Sequence, residues 1–224
     1  MLMIRALRWL SALVAVLATL TGCTSAVSGT PTWPGARLEK VVLTSADFPD
    51  GVQYDRIVEE EGVPDGAGGP PPMLSDPPGC SEGFSKSIGA TAERGPGSAA
   101  KYVVGYNGAR MLITVLSWSL DTETLQAIAE RCERFVTYFG PGSPSIPMTT
   151  TALDTDRDGA LVYQQTMDLG GARSSVFFSF ENVGSMAVFG VAFPTPDPRI
   201  PVKATLPQTF LEAMGKQAER LEQA

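Results

Sequence analysis

Apolar positions recur along this chain with two periods, and the switches between them mark its elements. After Asp121, whose carboxylate suits a helix N-cap, Leu125, Ile128, Ala129, Cys132, Phe135 and Val136 fall three and four apart. They predict one amphipathic helix that runs to Gly140-Pro141-Gly142. A second helix is predicted from about Thr205, with Pro207 near its first turn and Phe210, Leu211, Met214, Ala218 and Leu221 on one stripe. Elsewhere the period shortens to that of a strand. Residues 101–106 and 110–118 flank Asn107-Gly108, a strong hairpin signal. Residues 147–153 and 160–169 flank an Asp/Gly turn, and 174–181 and 185–193 flank Asn182-Val183-Gly184. Upstream, 43–49 reads as one capped helical turn stopped by Pro49, and 52–58 as a strand. Hairpins without a βαβ alternation predict an α+β fold: a mostly antiparallel sheet with two main helices packed on one face, in a single domain over 38–224.

One stretch carries neither period. In 62–79, Gly and Pro fill 11 of 18 positions, which predicts a long surface loop, since prolines lack donors and glycines cost entropy. It follows the acidic run Glu59-Glu60-Glu61, read as a solvated edge. After it, Pro78-Gly79-Cys80 opens a short helical stretch to about Ile88.

The N-terminus is patterned for export. Arg5 and Arg8 precede an apolar run from Trp9 to Leu20, too short for the roughly 20 residues of a spanning helix. Residues 1–22 are thus expected to be a signal peptide. Leu20-Thr21-Gly22-Cys23 resembles the bacterial lipobox, which implies a diacylglyceryl group on the Cys23 thiol and a mature chain beginning there. Paired acyl chains anchor stably where one is marginal. Residues 23–37, small and punctuated by proline, are expected to be a flexible tether. The expected location is the extracytoplasmic face of the cell membrane.

Charge and composition then narrow the partners. The part after residue 22 holds 15 basic and 24 acidic residues, which disfavours nucleic acid and flat docking on anionic head groups. The chain has no histidine, which excludes Ser-His-Asp and Cys-His nucleophile systems, imidazole-based zinc sites and a histidine pH switch. No G-x-S-x-G, P-loop or dinucleotide fingerprint occurs, and no cofactor is expected.

With Cys23 assigned to lipid, Cys80 and Cys132 remain as an even pair in an oxidising compartment, and a disulfide between them is expected. Pro78-Gly79-Cys80 before a short helix, a hairpin, then Cys132 inside a helix resembles a group of mycobacterial cell-envelope lipoproteins. The arrangement is similar, more distantly, to the extracellular sensor domain of PknH-type receptor kinases. The resemblance implies a cysteine-stapled α+β domain with a cleft for an envelope ligand. Those sensors carry more cysteines than this chain, so one of their bridges has no counterpart here.

Asp154-Thr155-Asp156-Arg157-Asp158-Gly159 matches the first half of an EF-hand loop, and Asp154, Asp156 and Asp158 form a weak calcium candidate. Where that loop needs a bidentate Glu this chain has Gln165, and the flanks read as strands, so a hairpin turn is the simpler reading. The expected function is a non-catalytic ligand- or partner-binding, sensor-like envelope lipoprotein, taking a lipid-like ligand or an envelope protein. The alternatives are an envelope hydrolase using carboxylates or a Ser/Lys pair, and a structural partner of a membrane complex.

Overall fold

The computed structural model describes residues 34–57, 73–86 and 97–223, with side chains from Arg37 onward. The signal peptide, Cys23, most of the tether, the Glu59–Glu61 run and much of the Gly/Pro stretch lie outside the described residues. Nine strands form one antiparallel sheet: β1 Gln53–Ile57, β2 Leu74–Asp76, β3 Ala99–Tyr106, β4 Ala109–Leu116, β5 Arg134–Tyr138, β6 Ile146–Ala152, β7 Leu161–Leu169, β8 Ala172–Val183 and β9 Met186–Phe193. Their order across the sheet is β1-β3-β4-β9-β8-β7-β6-β5-β2. The helices are α1 Pro34–Val41, α2 Thr122–Arg131 and α3 Gln208–Glu222, with a 3-10 turn at Ser45–Asp47 and a helical turn at 83–86. Residues Thr32–Ala224 make one compact unit.

The expected hairpins are present. Tyr106 pairs with Ala109 around Asn107-Gly108, where Gly108 takes a φ of 110° that an L side chain resists. The capped turn is there too, with Asp47 accepting from the Thr44 backbone N–H at 2.7 Å.

The expectation of two main helices on one face is wrong. Strand parity shows why. On β8, Phe177 joins the core under α1 and α3, while Phe178 and Phe180 join the core under α2. On β9, Val188 and Ala192 face α3, and Ala187 and Phe189 face the other way. The sheet dominates the fold, and its helices are split between its faces. One layer of α1 and α3 covers the β1-β3-β4-β9-β8 side; α2 and the segment around Cys80 cover the β8-β7-β6-β5 side from opposite. A helix's apolar stripe shows that it is buried, but not against which face of a sheet. The two middle strands, β8 and β9, are therefore buried on both faces, which explains their nearly continuous apolar runs.

Two further expectations are corrected. The helix predicted to reach Gly140 stops at Arg131, and Phe135 and Val136 belong to strand β5. Its run Arg134-Phe135-Val136-Thr137-Tyr138 alternates inward and outward, with Phe135 packing beside Cys80 and Cys132. The Gly/Pro stretch is not all loop: Leu74–Asp76 pairs with β5 as the terminal strand of the sheet. An end strand tolerates neighbouring prolines because one side of it needs no donors.

Candidate functional site

Because each helical layer covers only part of the sheet, the α2 side is left open, among the described residues, over β1 and β3 and over the ends of β4 and β9 that carry Arg110 and Phe193. Register places its side chains in rungs. Gln53, Gly105, Arg110 and Phe193 lie level across the four strands, and Asp55, Val103, Leu112 and Val191 form the next rung. Gly105 supplies no side chain, so the surface dips between Gln53 and Arg110. A Cβ there would stand 3.3 Å from Gln53 Oε1 and 3.5 Å from Ile200 Cδ1.

The loop after β9 closes one end of this dip. It is fastened to the β3–β4 turn by backbone bonds: Asn107 N–H to the Val202 carbonyl at 2.8 Å, and Gly108 N–H to the Thr195 carbonyl at 3.2 Å. The result is a cleft of about 230 Å³, with Val103 and Ile200 as its apolar lining and Gln53, Asp55, Arg110 and Asp197 as polar groups. Asp197 is already engaged. Its carboxylate takes Nε and an Nη of Arg199 at 2.9 and 2.8 Å, and that bonding holds it below the usual carboxylate range. Among the described residues, Arg110 and Asp55 make no ion pair. The cleft thus offers one open guanidinium and one open carboxylate across an apolar strip, a fit for a small dipolar group.

A second, larger cleft of about 430 Å³ lies beside the Asp154–Gly159 loop, against the end of α3. Its centre is filled by the protein itself. Arg157 binds the buried Glu181 through Nε at 2.9 and 3.0 Å and through an Nη at 2.6 Å, and reaches Glu222 at 2.6 Å. Hydrogen bonding to Glu181 holds the guanidinium above its ordinary value, so it stays charged. The Arg157 stem passes over Gly215 of α3, where a Cβ would sit 3.8 Å from its Cδ. Asp154, Asp156 and Asp158 are exposed, and among the described residues no group of three metal-ligating side chains converges. In this loop the arginine between the carboxylates is the engaged residue.

Cys80 and Cys132 are bonded, with Cα atoms 5.5 Å apart. Around them the chain is ordered by Ser75, whose Oγ accepts from Cys80 N–H at 2.9 Å and donates to the Pro77 carbonyl at 2.9 Å. Ser81 donates its hydroxyl to the Met73 carbonyl, and Lys86 faces Glu82. Neither engages the other as a Ser/Lys pair.

Sequence reasoning missed Gln217. It lies on the α3 stripe between Met214 and Leu221, fully buried. Its Oε1 accepts from Leu43 N–H at 3.1 Å and from Tyr102 OH at 3.0 Å, and its Nε2 donates to the Val41 carbonyl at 2.8 Å. Burial pushes the Tyr102 phenol far above its ordinary value, which keeps it a neutral donor. The signal was available: a glutamine at a stripe position needs partners.

No protein-family model matches this sequence, and no curated protein matches it. Among solved structures, the chain is similar to an uncharacterized protein of Mycobacterium smegmatis (Rv0999 ortholog). Identity is 13% and the TM-score 0.42, over 85% of this chain and 96% of that one. No described helix is long and apolar enough to cross a membrane.

Proposed function

We propose that this chain is an extracytoplasmic, lipid-anchored envelope protein whose folded domain binds a ligand or partner without catalysis, in the manner of a sensor domain. The anchor reading rests on the charged start, the apolar run and the lipobox ending at Cys23. The disulfide supports an oxidising compartment. The observation that carries the binding reading is the cleft on the open sheet face, where Arg110 and Asp55 keep open charges on either side of Val103. At about 230 Å³ it is smaller than the usual small-molecule pocket, which favours a small dipolar ligand or the side chains of a partner over an enclosed lipid. The same two charges, separated by an apolar strip, are a binding arrangement and offer no base held against a nucleophile.

Native mass spectrometry of protein purified from its own envelope tests it. A co-purifying small molecule or protein that is lost in Arg110→Ala supports the reading. An occupant retained in both Arg110→Ala and Asp55→Ala places binding elsewhere. Cys23→Ala tests the anchor separately: the protein should move from the membrane to the soluble fraction, and unchanged retention sinks the lipoprotein reading.

A further inference from the structure

Among the described residues, three of the four exposed large apolar side chains gather at one corner of the sheet, remote from the Arg110 cleft; the fourth, Phe193, stands on the Arg110 rung. Phe139 is 69% exposed, Leu169 50% and Leu74 46%. Leu74 pairs with Tyr138, and Phe139 follows that rung. Thr137 pairs with Ile146, and Met148 pairs with Met167, so carrying the register on brings Leu169 level with Ile146. Parity then puts Leu169 on the α2 side of the sheet and Leu74, with Tyr138, on the other. Two turns flank the corner, one at Gly140-Pro141-Gly142 and one at Gly170-Gly171.

This geometry selects among occupants. A flat protein partner covers one face of a sheet, whereas this corner shows apolar groups on both faces of its end. A bilayer interface accepts such a wedge from all sides. Beside Leu169, the Asp168 carboxylate is paired across the strand with Arg173 at 3.7 Å, so its charge does not stand unbalanced against the head groups. Chain length adds to the argument. The eleven residues from Cys23 to Pro34 reach roughly 40 Å at full extension, about the width of a domain this size. A domain anchored at Cys23 therefore stays within about its own diameter of the membrane.

We infer that the corner of Phe139, Leu169 and Leu74 is a membrane-contact surface, which enters the head-group region of the bilayer and sets the orientation of the tethered domain. The inference rests on the anchor proposed at Cys23. The corner orients the domain; the acyl chains retain it.

The test uses the full lipidated chain in vesicles of phosphatidylethanolamine and phosphatidylglycerol. With Cys23 acylated and Cys80 bonded to Cys132, a cysteine introduced by Phe139→Cys or Leu169→Cys is the one thiol left for a nitroxide. Both labels should be reached by oxygen in preference to a water-soluble nickel chelate. A label at Asp158→Cys, beyond the other end of β7 and roughly 27 Å or more from Leu169, should show the reverse. Adding Phe139→Ser should lower the membrane-docked fraction seen by the 169 label on the order of tenfold. Water accessibility at 139 and 169 equal to that at 158, in chains that float with the vesicles, overturns the inference. So does shielding of the 169 label that persists without vesicles, because a protein contact would then cover the corner. Chains that fail to float overturn the anchor reading, and this inference falls with it.

Discussion

The two faces of the sheet are closed by different means. On one, α3 is 15 residues long and lays Phe210, Met214, Ala218 and Leu221 over a broad core shared with α1, β3, β4 and β9. The fit is close: a Cβ on Gly190 would stand 2.5 Å from Met214 Sδ and 2.8 Å from Phe210. Polar clamps finish that layer, Gln217 at its centre and Arg157 at its end. On the other face, α2 has 10 residues and buries only Leu125 and Ala129. A helix that short cannot hold a layer by area alone. The disulfide from its C-cap residue Cys132 to Cys80 makes up the difference, and it also seats the turn at 83–86. The Phe84 ring of that turn stacks on Tyr163 with centroids 5.3 Å apart and meets Phe178 and Phe180 at a tilt, 5.0 and 5.4 Å away. Where a face has length to bury, packing closes it; where it has not, a covalent link does.

Breaking the covalent side should have the largest effect. In the chain-entropy account, a bridge over 52 residues contributes about 4 kcal/mol, so Cys80→Ser with Cys132→Ser should lose that much in urea unfolding. A reductant should then have no further effect on the double variant, while Arg157 or Gln217 variants should stay as reductant-sensitive as the parent. A reductant-insensitive parent would remove the contrast between the faces.

Next comes the clamp at the centre of α3. Gln217→Leu keeps volume on the stripe but leaves the Leu43 N–H, the Val41 carbonyl and the Tyr102 hydroxyl without their partner. The expected loss is about 3 kcal/mol by the same unfolding measurement. Tyr102→Phe in that background should recover part of it, since one stranded group is then gone.

Arg157→Met tests the end of the same layer. Glu181 is buried and loses its charge partner, yet Arg157 is itself a quarter exposed, so the expected loss is about 2 kcal/mol, below that of a fully buried pair. Glu181→Gln alongside it should restore most of the stability, which separates the stranded charge from lost packing over Gly215. Alanine at Asp154, Asp156 or Asp158 should change stability by under about 0.5 kcal/mol, because their carboxylates are exposed.

These contrasts show what could be read in the chain beforehand. Hairpins were legible because Asn107-Gly108 and the Asp/Gly turn combine local turn chemistry with alternating flanks. The 80–132 bridge was legible from compartment and count. The placement of helices on opposite faces was not, because it depends on whether Phe177 or Phe178 meets a given helix, a matter of global register. Strand β5 was hidden for a related reason: Phe135 and Val136 happen to continue the three-four spacing of α2. Yet Val136, Thr137 and Tyr138 are strand formers, and the fold pairs their strand with β6 on one side and β2 on the other. The Arg110 cleft could not be read locally either, since it joins β1, β3, β4 and a loop some 90 residues further on. In the Asp154–Gly159 stretch, the conspicuous carboxylates drew attention from the arginine that the fold uses.

The smallest expected effect bears on the short helix and on pH. Asp121 caps α2, accepting from Thr124 N–H at 2.9 Å and from its hydroxyl at 2.7 Å. The bond from the Thr124 backbone, then that from its side chain, holds the carboxyl below its ordinary value. A carboxyl with a lowered folded-state pKa adds stability that is present above its unfolded value, near 3.9, and fades as pH falls through the folded one. Asp121→Asn retains an acceptor for the cap but not the titration. The variant should match the parent closely at neutral pH and lose less stability on acidification below about pH 4. Followed by circular dichroism, parallel acid curves for the two proteins would mean that the cap does not hold α2, leaving that layer to its buried side chains and the disulfide.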